Sequence, residues 1–354
     1  MLLLATLIAL GTLVALHELG HLLVARACRM RVDQYSIGFG PVVLSAKVGE
    51  TRYALSLLPL GGYVKIAGMN PHDGTAPDDP RSFSNRPTWQ RFLVLCAGST
   101  ANYLIAFVVL ANLNVFGMPR PVETPTIGEV VPASAAAIAG LKPDDTFESI
   151  GEMKTTNFAE VVAAVQQSGG RPTAVRVRRG KELLTFEITP RPHGSGFLIG
   201  AAPKTYLAKM PLGEALSSAG RDVVMGNLNI VLGIADKIRG RGNLQLGGPV
   251  EAIGGAMDAA RMGLAPFFLT IALLSVGVAL FNLFPIPALD GGRILFVLIE
   301  MVRRRPVNPR VETAVHAVGF LALLGLMAVV TVGDVRRRLP AKPILVPMTT
   351  DAGQ

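Results

Sequence analysis

The chain has 354 residues, half of them hydrophobic and 17% charged, with a mean hydropathy of +0.44. That balance weighs against a purely soluble protein and fits a membrane protein with a sizeable polar insert. The net charge of +9 is spread over several loops without aromatic interleaving, which argues against nucleic acid as a partner and fits cytoplasmic loops facing anionic lipid. Two cysteines, Cys28 and Cys96, make neither a disulfide framework nor a CxxC metal site.

Residues 2–25 form the first apolar segment long enough to span a bilayer. The segment lacks a basic leader and a clear small-residue cleavage site, so it reads as a retained transmembrane helix. It is interrupted by His17-Glu18-Leu19-Gly20-His21. A charged group near the bilayer centre costs roughly 2.5–3.5 kcal/mol even on the mildest scale, so these residues need compensation. Residues 32–90 carry β-branched and aromatic runs punctuated by Gly and Pro. There 42–47 can pair with 51–57 across Val48, Gly49 and Glu50, and 63–66 can add a further strand. A small membrane-associated sheet is predicted, followed by an exposed loop over 70–88.

The second span is 92–116. An α+β domain over 122–200 follows, with 175–178 and 183–188 predicted as a hairpin turning at Gly180. Residues 203–262 read as an amphipathic helical linker. Within it Leu212, Ala215, Leu216, Ala219, Val223, Leu228, Val231 and Ile234 form an apolar stripe, and a Gly-rich break precedes the third span. The third span is 266–290, the fourth 313–332, and 333–354 is a tail. Arg26, Arg29, Arg31, Arg86, Arg91, Arg303, Arg304, Arg305 and Arg310 flank the spans on what the positive-inside rule makes the cytoplasmic side. The N-terminus and the insert then lie outside. Arg336, Arg337 and Arg338 in the tail oppose this orientation.

His17-Glu18-x-x-His21 is an HExxH motif. Residues i and i+4 share a helix face, so both imidazoles can reach one metal, and the glutamate beside them can take a proton from a metal-bound water. Two packed histidines are the plainer alternative. A third ligand is needed, and few ionisable residues lie in the other spans. Asp290 follows a long uncharged run and precedes Gly291 and Gly292, and its depth matches that of His21. His316 in the fourth span is the other candidate. His72 and His193 read as solvated loop residues.

These motifs resemble those of the site-2-protease family of intramembrane zinc metalloproteases, in its bacterial RseP-type branch. The resemblance rests on His17 to His21 in a first span and on NLFPIPALDGG, 282–292, in a later one. It implies a fold of four transmembrane helices with a membrane-associated β-hairpin or sheet and an inserted extracytoplasmic α+β domain that resembles a PDZ domain, in which Asp144 takes a turn position where Gly is commoner. It also implies one Zn2+ per chain on His17, His21 and Asp290, with Glu18 as general base. Asn282, Pro285 and Pro287, and Gly61, Gly62 and Tyr63 in the β-element, would bind an extended substrate. GSTAN, 98–102, resembles the family's Gly-x-x-x-Asn helix-packing feature. The implied activity is cleavage within transmembrane segments of single-pass membrane proteins, such as anti-sigma factors or remnant signal peptides, at a bacterial inner membrane. Peptide termini are a candidate ligand of the PDZ-like domain, with a steric gate as the alternative. An intramembrane metal transporter and a non-catalytic membrane scaffold are the rival readings.

Overall fold

A computed structural model describes residues 1–70, 74–76, 78–193, 196–240 and 247–338. His72 lies outside them, as does the tail beyond 338. Among the described residues, four helices are long and apolar enough to cross a membrane: Leu2–Ala27, Thr88–Phe116, Leu264–Leu283 and Pro309–Val335.

Helix α1 (Leu2–Ala27) leads into two long strands, β1 (Val32–Val48) and β2 (Thr51–Ile66). Val48 pairs with Thr51 and Lys47 with Arg52, which gives the expected hairpin. The register shows more. Gln34 faces both Arg52 and Lys65, and Tyr35 both Tyr53 and Val64. The strands therefore fold over themselves at Gly38, Gly40 and Gly61, all of positive φ, and the start of β1 becomes a central strand between two parts of β2. The sequence pattern assigned no strand to 32–37. Ile37, Phe39, Val42, Val43, Leu44, Leu55, Leu57 and Leu58 stay exposed on this sheet, consistent with a surface that lipid rather than water would cover.

Helix α2 (Thr88–Phe116) crosses back. The insert is carried on a two-stranded ribbon, β3 (Met118–Pro121) paired with β12 (Thr205–Ala208). Within it run β4 (Ile127–Val130), α3 (Ala135–Ala139), β5 (Thr146–Ile150), β6 (Met153–Lys154) and α4 (Phe158–Gln167). Then come β7 (Thr173–Arg179), β8 (Glu182–Ile188), β9 (Arg191–His193), β10 (Gly196–Leu198) and β11 (Ala201–Pro203). The main sheet has the order β6-β5-β7-β8, and β4 pairs with β11. The hairpin turns at Gly180 as its sequence requires, and Asp144 takes φ +69°. Ile127, Phe147, Val161, Val175, Val177 and Ile188 fill its core.

Helix α5 (Leu212–Ile238) forms over the amphipathic stretch. Ala215, Ser218 and Ala219 are buried, whereas Leu212, Leu216, Leu228 and Val231 are exposed. Small residues let α5 lie close to α2, and its large apolar side chains turn outward as on a lipid-facing helix. Helix α6 (Pro249–Met262) forms in the last part of the stretch read as a helical linker, starting within its glycine-rich break. Helix α8 (Asp290–Arg303) was not expected. The third apolar helix, α7 (Leu264–Leu283), closes at Leu283 instead of running to 290, because Pro285 and Pro287 supply no backbone donors to continue it. Helix α9 (Pro309–Arg338) completes the chain as described.

Candidate active site

Helices α1 and α2 approach closely through Gly20. A Cβ there would lie 2.4 Å from the Ala97 carbonyl oxygen. His17 and His21, four residues apart, present both imidazoles on the face that meets α2, with their Nε2 atoms 3.2 Å apart. Asp290, the first residue of α8, brings Oδ2 to 3.1 Å from His17 Nε2 and 3.2 Å from His21 Nε2. The two glycines after it have a definite task. Cβ atoms at Gly291 and Gly292 would lie 1.9 Å from the Phe284 carbonyl oxygen and 2.6 Å from that of Ile286. Only glycines let the 284–289 segment fold back over the start of α8 and aim Asp290 at α1.

His316 does not join this cluster. Its Nδ1 accepts the backbone N–H of Ala288 at 3.0 Å. Ala288 itself has φ +78°, so the imidazole steadies a left-handed turn two residues before Asp290. Of the two candidate third ligands, the structure brings only Asp290 to the histidines.

The three atoms suit a tetrahedral metal. Two ligands at about 2.0–2.1 Å from a tetrahedral zinc lie about 3.3 Å from each other, close to the spacing here. The donor chemistry agrees. His21 Nδ1 lies 2.7 Å from the Val94 carbonyl oxygen, which can only accept, so Nδ1 carries the proton and Nε2 offers a lone pair to the cluster. That lone pair, converging with a carboxylate oxygen in a buried site, calls for a cation. Gly98 on α2 keeps the space clear, since a Cβ there would lie 2.3 Å from His21 Nε2 and 2.5 Å from His17 Nε2. The sequence pattern marked Gly98 only as a packing residue.

Glu18 stands between the histidines and the sheet. Its Oε2 accepts the backbone N–H of Val64 on β2 at 3.1 Å. Tyr35 on β1 donates its hydroxyl to the Ala15 carbonyl at 2.7 Å, which locks the sheet to the same turn of α1. A cavity of about 220 Å³ opens on this side, lined by Val14, His17, Glu18, Val278, Asn282, Ala288, Leu289 and Asp290.

Asn282 therefore shares this cavity with His17, Glu18 and Asp290. Gly61, Gly62 and Tyr63 immediately precede Val64 on β2, next to Glu18. Gly61 packs under the Phe39 ring, which stacks on Tyr63. Pro287 lines a second, apolar cavity of about 600 Å³ against Val315, Val318, Gly319, Ala322 and Leu326 of α9, and Pro285 sits in the same connecting segment.

The sequence profile of peptidase family M50 matches residues 5–326. The chain belongs to peptidase family M50. A candidate zinc metalloprotease of Clostridium perfringens is 33% identical over 331 residues, covering 93% of this chain and 97% of that one. A second, from a Nostoc species, is 32% identical over 337 residues, covering 91% and 93%. The regulator of sigma-W protease RasP of Bacillus subtilis is 29% identical over 415 residues, covering 94% and 98%. The chain is thus a metalloprotease of a zinc-dependent family, built on membrane-spanning helices.

Proposed function

We propose that this metalloprotease is an intramembrane endopeptidase. It binds one zinc ion through His17, His21 and Asp290 and cleaves transmembrane segments of single-pass membrane proteins. The observation that carries the reading is that His17 and His21, on a helix otherwise fit to span lipid, converge with Oδ2 of Asp290, and that Glu18 lines the same cavity. Such polar groups are tolerated there when they serve a site.

The Nε2 atoms of His17 and His21 and Oδ2 of Asp290 would hold the ion. A zinc so held supplies a Lewis acid and an acidified water. Glu18 takes the proton of the attacking water on its carboxylate and returns it to the leaving amide nitrogen. Its bond to the Val64 N–H keeps that carboxylate beside the cavity. Substrate must enter unwound, because a helix commits its carbonyls to internal hydrogen bonds. The outer part of β2, from Gly61 to Tyr63, offers an edge on which an extended segment can add as a strand. Asn282 faces the same cavity and can hydrogen-bond the exposed backbone.

The N-terminus and the insert lie outside the cytoplasm in this reading, in a bacterial inner membrane. The insert acts as a PDZ-like domain that screens or binds substrate ends. RasP is named as a regulator of sigma-W, which supports membrane-bound regulators of sigma factors as one substrate class.

The test is co-reconstitution with a single-span membrane protein, with fragments mapped by mass spectrometry. A cut inside the apolar segment, absent with Glu18→Gln, is the expected result. Cuts confined to extramembrane loops, or fragments that persist with Glu18→Gln, would contradict the reading.

A further inference from the structure

His21 has an obvious partner for its outer nitrogen, the Val94 carbonyl. His17 has a less obvious one. Its Nδ1 lies 3.3 Å from Nδ2 of Asn102, which is fully buried on α2 one turn beyond Gly98. The other end of that amide, Oδ1, is buried with no hydrogen-bond partner among the described residues.

The two ends of an amide exchange by a half-turn about χ2, and the neighbouring proton decides between them. With nitrogen toward His17, the amide donates to Nδ1. The imidazole then keeps its proton on Nε2, where it blocks a metal. With oxygen toward His17, Nδ1–H donates to Asn102 and the Nε2 lone pair is free. Only the second arrangement matches what the Val94 carbonyl does for His21.

We propose that Asn102 is a positioning residue whose side-chain oxygen accepts the Nδ1–H of His17 and fixes it in the metal-binding tautomer. The inference rests on His17 being a zinc ligand, as read above. It gives α2 two tasks one turn apart: Gly98 leaves room at the Nε2 atoms, and Asn102 orients one imidazole from behind. The α2 backbone is itself held at this point, since the Ser275 hydroxyl of α7 donates to the Asn102 carbonyl at 2.9 Å.

The test uses the full chain in detergent, with zinc retention read against a graded chelator series. Asn102→Asp has an oxygen at either end of the group and no donor. Asn102→Leu has similar bulk and no acceptor. Asn102→Leu is expected to weaken zinc retention by about 10–100-fold, as for other groups that orient metal ligands, while Asn102→Asp stays within about threefold of wild type. The cobalt-substituted Asn102→Asp protein should keep the wild-type visible absorption of the metal. The proposal is overturned if Asn102→Leu holds zinc as wild type does, which would make the residue a filler. It is equally overturned if Asn102→Asp loses zinc as Asn102→Leu does, which would mean that an amide N–H is required. His17→Ala separates the two levels: if it keeps zinc, the reading of the site fails and the proposal with it. If His17→Ala loses zinc while Asn102→Leu keeps it, the proposal alone fails.

Discussion

The insert and the helical region differ in what they leave at the surface and in how much polar material they bury. In the insert, Phe147, Val175, Val177 and Ile188 are inside. In the helical region, Leu3, Leu4, Ile8, Leu104 and Val108 are outside, while His17, His21, Ser99, Asn102 and Ser275 are buried. Burying apolar surface stabilises a domain in water, but lipid tails offer no such gain between helices. Beside apolar contacts such as those of Leu22, Val94 and Leu95, the helices are joined by close approach at small residues and by hydrogen bonds, and the interior also holds polar groups that can take a metal. One chain uses two rules because its two parts face two solvents.

The comparison can be broken by exchanging the kinds of damage. Phe147→Ala should cost the insert about 3–5 kcal/mol through lost burial and a cavity. Hydrogen exchange of the β5 and β7 amides should accelerate accordingly, with zinc content unchanged. Zinc loss in that variant would mean that the two parts are not separate in stability.

Gly98→Ala adds one methyl group where the helices have no slack. Zinc retention should fall on the order of 100-fold in chelator competition. The change should leave exchange in the insert untouched.

How much of this was legible in the sequence depends on whether the cause is local. The two histidines and Glu18 were readable because helix periodicity alone puts His17 and His21 on one face. The insert's hairpin was readable because alternation and Gly180 are local too. Asp290 was readable as a charge after a long uncharged run, but the helix it begins was not, because apolar residues continue through the break at 284–289. The task of Gly98 was hidden, since which face of α2 meets α1 is a matter of tertiary packing. His316 looked like a ligand candidate for the same reason. Its spacing says that it is in a span, and only packing says that it holds Ala288.

The smallest effect concerns acid. Asp145 is buried in the insert, which by itself raises its pKa. Two bonds from Arg179, at 2.7 and 2.8 Å, and the Lys142 backbone N–H at 2.9 Å more than offset this and hold the carboxyl below its usual range. The folded value lies below the unfolded value of about 3.9, so the stabilisation is complete above about pH 4. It is lost as pH falls through the folded value. Exchange in the insert, corrected for intrinsic rates, should therefore speed up below about pH 4 in wild type, with a weaker dependence in Asp145→Asn. An equal acid response in both proteins would remove Asp145 as the cause.

The central claim is that ligands and base are different residues of one buried cluster. Elemental analysis of purified wild type, Asp290→Ala and Glu18→Gln, paired with a cleavage assay on the same preparations, tests it directly. The account predicts one zinc per chain in wild type and in Glu18→Gln, and little in Asp290→Ala. Cleavage should be lost in Asp290→Ala and slower by at least about 100-fold in Glu18→Gln. Full zinc in Asp290→Ala, or cleavage by Glu18→Gln at the wild-type rate, would contradict it.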